Sequence, residues 1–137
     1  MEGGRIVAQM TAEFDVGTGP RCNIGPDEIR RRRRIAAVLT VASGMAAIGL
    51  VASGVPPLLR FAIWPLTAAA GVTWLQAGRR FCVRFGLAGL ENFGPIGRER
   101  RVADRQLRAD QRRAMQLIGE GILAGLLVAV ALVNLPA

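Results

Sequence analysis

The chain has 137 residues, a formal net charge of +8, 51% hydrophobic residues and a mean hydropathy of +0.32. That much basic charge on so apolar a chain is foreign to a soluble core. It is ordinary for a small membrane protein whose charge lies in its connections. The absence of histidine excludes His-ligated haem, His-ligated chlorophyll and a histidine general base within these residues.

Residues 1–25 hold no apolar run, so no cleavable signal is evident and a polar cytoplasmic arm is expected there. A first transmembrane helix should begin near Pro26, with Gly25 as cap and Asp27 and Glu28 at the positive end of the helix dipole. Asp27 with Arg31 and Glu28 with Arg32 are spaced to pair along it. Arg30, Arg31, Arg32, Arg33 and Arg34 form an unbroken run that rings the helix where lipid phosphates lie. Residues 35–55 then carry no charge, enough to cross a ~30 Å hydrocarbon core. Ala42, Ser43, Gly44, Ala46, Ala47 and Gly49 supply small side chains that allow close helix approach.

Val55-Pro56-Pro57 ends this helix in a tight connection. Residues 61–77 are expected to form a second, shorter span, with Pro65 tolerated in its first turns. Residues 26–78 thus read as a helical hairpin. Trp64 and Trp74 lie near opposite ends of the second span, as in an interfacial aromatic belt. Arg79, Arg80 and Arg84 return the chain to the basic side.

Residues 79–113 read as an Arg-rich cytoplasmic or interfacial connection. Within it, residues 81–93 are amphipathic, with Phe81, Phe85, Leu90 and Phe93 on one side, and should lie in the membrane interface. Gly94-Pro95-Ile96-Gly97 breaks that segment. Residues 98–113 form a charged helical stretch, too polar to pack as a core helix and so solvated or held by a partner. A third span covers residues 114–137, with Gly121, Gly125 and Ala129 making a GxxxGxxxA packing ridge. Glu120 precedes that ridge, either as a functional acid within the third span or as an acid at headgroup level near Arg112 or Arg113.

The fold class is therefore all-α integral membrane: three transmembrane helices and an interfacial amphipathic segment, N-terminus cytoplasmic and C-terminus outside. Seventeen of the eighteen arginines, and all ten acidic residues, fall on the inner side, leaving Arg60 alone outside. Such a pattern belongs to a bacterial inner membrane protein with several passes.

Cys22 and Cys82 are the only cysteines. Both should sit at the cytoplasmic face, either as reduced packing thiols or as a reactive pair. Two ligands alone do not make a zinc or iron–sulfur site, and cytosolic disulfides are uncommon. No Gly-rich phosphate loop and no Ser–His–Asp set is present. The arginine clusters are held at the membrane surface, where anionic lipid is the expected partner; no nucleic-acid recognition module accompanies them.

Cys22-Asn23-Ile24-Gly25, the arginine run, two apolar spans, then Phe81-Cys82 with Phe85-Gly86, resemble small bacterial inner-membrane domains. Those domains open on Cys-Asn-x-Gly and also occur fused to rhodanese modules. The resemblance covers about residues 21–86. It implies a two-span hairpin that dimerises in sulfur handling, with Cys22 and Cys82 at the matching positions. The charged segment and third span are additions to that pattern.

These readings lead to an expected non-catalytic accessory subunit of a larger bacterial membrane complex, respiratory or photosynthetic. It would stabilise assembly by helix packing and by arginine contacts, and would not be an enzyme. Its partners would be other membrane subunits and anionic lipids, with no nucleic acid and no small-molecule substrate. No cofactor would be ligated by side chains, and pigments or lipids would meet it only through apolar packing or backbone groups. The competing expectation is a thiol-dependent sulfur or redox protein acting as a homodimer.

Overall fold

A computed structural model describes residues 22–136. Most of the expected N-terminal arm and Ala137, the expected external end, lie outside the described residues. Among the described residues, three helical segments are long and apolar enough to cross a membrane: Pro26–Ala52, Pro57–Gly78 and Asp104–Val133. The architecture is that of a multi-pass membrane protein.

The first helix, α1 (Pro26–Ala52), starts where the proline and the acidic first turn direct it, with Gly25 extended as its cap. Its ion pairs are not the four-apart ones. Arg30 pairs with Asp27, and the Arg31 guanidinium lies 3.8 Å from Glu28. Arg32, spaced to pair with Glu28, instead reaches the Cys82 sulfur. After a turn with Gly54 at φ +64°, Pro57–Ile63 forms a 3₁₀ helix that feeds directly into α2 (Trp64–Gly78). The second span is therefore longer than residues 61–77. Pro65 falls in the first turn of α2, where its missing N–H costs no hydrogen bond.

The chain turns at Arg80, which takes a left-handed φ of 52°, and enters the short helix α3 (Val83–Ala88). β1 (Leu90–Glu91) and β2 (Arg100–Arg101) then pair antiparallel, with Leu90 opposite Arg101. Patterning did not anticipate this small hairpin, because strands of two residues leave no period to read. The last helix, α4, runs unbroken from Asp104 to Val133. Residues 98–113 are thus not one charged helix, and the third long helix does not wait until Ala114. Within residues 98–113 most side chains are exposed, and Asp110 is the buried one. Asp110, Ala114, Leu117, Gly121, Gly125, Ala129 and Leu132 are buried at intervals of three and four, so one stripe runs through both halves of α4. The arginines occupy the other faces.

α2 is the central element. α1 and α4 both pack on it and have little direct contact with each other. Among the described residues, apolar contacts fall into three small clusters rather than one large core. Ile63, Ala129 and Leu132 meet at one end; Phe81, Ala114 and Leu117 lie further along; Ile24, Cys82 and Phe85 close the basic end. The two aromatic residues expected on the apolar side of residues 81–93, Phe81 and Phe85, are thus inside the protein's own core, while Phe93 is exposed.

Candidate functional site

The residues of most chemical interest converge at the basic end of the bundle. Residues 22–25 thread between the α2–α3 turn and the segment after β1. Asn23 is fully buried and clamps the backbone of Cys82 from both sides. Its Nδ2 donates to the Cys82 carbonyl at 3.1 Å, and its Oδ1 accepts from the Cys82 N–H at 2.6 Å. The Asn23 N–H reaches the Arg80 carbonyl, and its own carbonyl accepts from Asn92 N–H at 2.9 Å. Gly25 N–H then donates to the Asn92 carbonyl at 2.7 Å. A Cβ on Gly25 would lie 2.7 Å from the Phe93 carbonyl oxygen, so only glycine permits that approach. The Asn-x-Gly sequence therefore has a structural rationale: a primary amide to satisfy one peptide unit, and no side chain where two backbones touch.

Further polar groups extend the knot. Gln76 accepts from the Val83 N–H, and Asn92 donates to the Pro95 carbonyl and accepts from Gly94 N–H. Phe81 stacks over Gly86, where a Cβ would sit 2.6 Å from the ring, and Arg113 lies 5.1 Å from the centroid of that same ring. Such a cation–π contact is worth about 0.5–1 kcal/mol when exposed.

Both cysteines are thiols. Cys82 is fully buried, and its sulfur accepts a hydrogen bond from Arg32 Nη2 at 3.0 Å. Cys22 is half-buried, one residue from the Asn23 clamp. The knot therefore brings both cysteine positions to one end of the fold. Glu28 is 3% exposed, and its Oε2 has no hydrogen-bond partner. Among the described residues, no three His, Cys, Asp or Glu are grouped to hold a metal ion.

The arginines of interest do not form one cluster. Arg30, Arg31, Arg33 and Arg34 are exposed around α1, and Arg32 alone is drawn inward. Arg79, Arg80 and Arg84 are exposed near the α2–α3 turn. Arg79 grips Glu120 with both guanidinium nitrogens, at 3.1 and 2.5 Å, so the partner of that carboxylate is Arg79 rather than Arg112 or Arg113. The reason is position: α2 ends beside the turn of α4 that carries Glu120.

The small-residue ridge of α4 faces α2 within the same chain. A Cβ at Gly121 would meet Val72 N at 2.6 Å, and one at Gly125 would meet Ala68 N at 2.4 Å. Ala129 is buried against Ile63. Thr67 Oγ1 donates across the seam to the Gly125 carbonyl at 3.0 Å. At the far end, Arg60 is 1% exposed and donates to the Leu135 carbonyl at 2.8 Å, beside the negative end of the α4 dipole. The tryptophans also bridge helices. Trp64 Nε1 donates to the Ile122 carbonyl, and Trp74 Nε1 to Thr40 Oγ1.

Sequence reasoning missed the clamp made by Asn23, the roles of Gln76 and Asn92 and the burial of Arg60. No periodic signal marks such residues. Only the general rule that a buried polar group must find a partner could have singled out the asparagines. Comparison with family models, with curated proteins and with solved structures finds no match for the chain.

Proposed function

We propose that the protein is a non-catalytic accessory subunit of a larger complex in a bacterial inner membrane, with the arginine-rich end cytoplasmic. The observation that supports this reading is the outer face of α1. Val38, Val41, Met45 and Ile48 are 63–71% exposed there. A Cβ added at Gly49 would meet nothing within 4 Å, nor would one at Gly44, which borders the open groove between α1, α2 and α4 at the edge of that face. Large side chains beside open glycines make the ridged surface that another membrane helix can approach closely. The opposite side of α1 is already engaged with α2. Asn23, Gln76 and Asn92, buried at the basic end, hold the chain's own backbone. The cytoplasmic orientation is supported by charge: among the described residues, every arginine but Arg60 belongs to the segments at or near that end.

Gentle detergent extraction followed by identification of co-purifying chains tests the proposal. The expected result is a stoichiometric complex that Gly44→Leu with Gly49→Leu disperses while the bundle stays folded. Isolation of the chain alone, unchanged by that pair, would overturn it.

A second reading, thiol-dependent sulfur or redox chemistry by a homodimer, is favoured by the Arg32 guanidinium against the Cys82 sulfur. Reactive cysteines typically have cationic neighbours. Changing Cys22 and Cys82 together to Ser separates the two readings. An accessory subunit should keep its assembly, because a hydroxyl at residue 82 can still accept from Arg32. A sulfur-handling protein should lose function while the helices remain in the membrane.

A further inference from the structure

Among the described residues, three clefts at the basic end differ in how their arginines are used. One is bordered by Asp27, Arg30, Arg31 and Arg34, and there Asp27 already neutralises Arg30. Another is bordered by Arg79, Arg112 and Arg113, of which Arg79 holds Glu120 and Arg113 covers Phe81. The third, of about 580 Å³, lies between α1, α2 and α3. Arg32 and Arg84 stand at it, Gln76 adds a polar group, and Val72 and Leu87 form an apolar wall. No acidic residue borders it. Arg84 is exposed and makes no ion pair among the described residues, while the contact with Cys82 fixes the Arg32 guanidinium.

We infer that this third cleft is a site for one anionic glycerophospholipid, its phosphate between Arg32 and Arg84 and an acyl chain along Val72 and Leu87. The cleft combines two features that a soluble anion does not need together: paired guanidinium donors and an adjoining apolar wall. Guanidinium groups bind phosphate oxygens through parallel N–H donors. A guanidinium already held by a sulfur loses less side-chain freedom on binding than a free one. Val72 belongs to the spanning part of α2 and Arg32 to the turn of α1 just before the uncharged run, so the cleft joins headgroup level to hydrocarbon. The inference rests on the proposed membrane setting, not on the existence of a partner subunit.

The test counts bound lipid on the intact chain by native mass spectrometry, after exchange into detergent containing phosphatidylglycerol or phosphatidylcholine. The wild type should retain one phosphatidylglycerol and not phosphatidylcholine. Loss of one headgroup contact in Arg84→Gln should weaken retention about fivefold. Leu87→Asp, which places a negative charge in the wall of the cleft, should weaken it further. Arg100→Gln, on β2 and outside all three clefts, should retain lipid as the wild type does. Equal retention by Arg84→Gln and Arg100→Gln would overturn the site. So would displacement of the lipid by inorganic phosphate alone, which would mark a soluble-anion site. Lipid retention is read on the single chain, so a failure to find partner subunits leaves this outcome independent.

Discussion

α1 and α4 both carry small residues at helical spacing, and they use them in opposite ways. On α4, Gly121 and Gly125 touch the backbone of α2 so closely that any side chain would collide. On α1, Gly44 and Gly49 face open space. In lipid there is no hydrophobic force to drive helices together, so close approach must supply dispersion contacts and interhelical hydrogen bonds. The α2–α4 seam has both, with Thr67 bonded across it to the Gly125 carbonyl. The α1–α2 contact instead ends at the basic side in a hydrogen-bonded knot around Asn23 and Cys82. Glycine alone therefore does not mark a seam. What marks it is a second backbone at the right height.

The largest effect should come from filling the seam. Gly125→Leu would force α4 away from Ala68, at a cost of roughly 1–3 kcal/mol or more for overpacking. The expected outcome is a markedly lower thermal midpoint of the detergent-solubilised bundle, read by circular dichroism. An unchanged midpoint would show that the seam can open without loss. A smaller but clear loss is expected of Asn23→Ala. It removes both partners of the Cys82 peptide groups, at about 1–2 kcal/mol in total once water enters the vacated side-chain space. The same change should expose the Cys82 thiol to maleimide, and labelling no faster than in wild type would argue against the clamp. The smallest effect should be that of Gly44→Ala on the isolated chain, within about 0.5 kcal/mol. A loss comparable to Gly125→Leu would mean that α1 packs on its own bundle through that face.

Residues 98–113 are as polar as their arginine content implies, but the buried stripe of α4 reaches into them at Asp110. Asp110, Ala114 and Leu117 share the buried face, and the charges lie around it. The failed pairing expectations have a common cause. Glu120 was assigned to the nearest arginines in sequence, whereas its partner Arg79 comes from another helix. Arg32 was paired with Glu28, its neighbour on α1, whereas it reaches the Cys82 sulfur across the fold. In each case proximity along the chain stood in for proximity in space.

Hydropathy and local chemistry alone determined the three long apolar helices, the start of α1 at Pro26 and the concentration of arginine at one end. These follow from sums along the chain set against lipid, or from a few adjacent residues at a helix end, and need no knowledge of neighbours. The resemblance marked Cys22-Asn23-Ile24-Gly25 and Phe81-Cys82 as related features without giving a reason for either asparagine or glycine. Only the tertiary structure decided that the two segments meet, that Gly121 and Gly125 touch α2 while Gly44 and Gly49 touch nothing, and that Arg60 is buried. The physical reason is that a backbone contact of a few ångströms depends on the rotation and height of two helices at once. No period within either one encodes that relation.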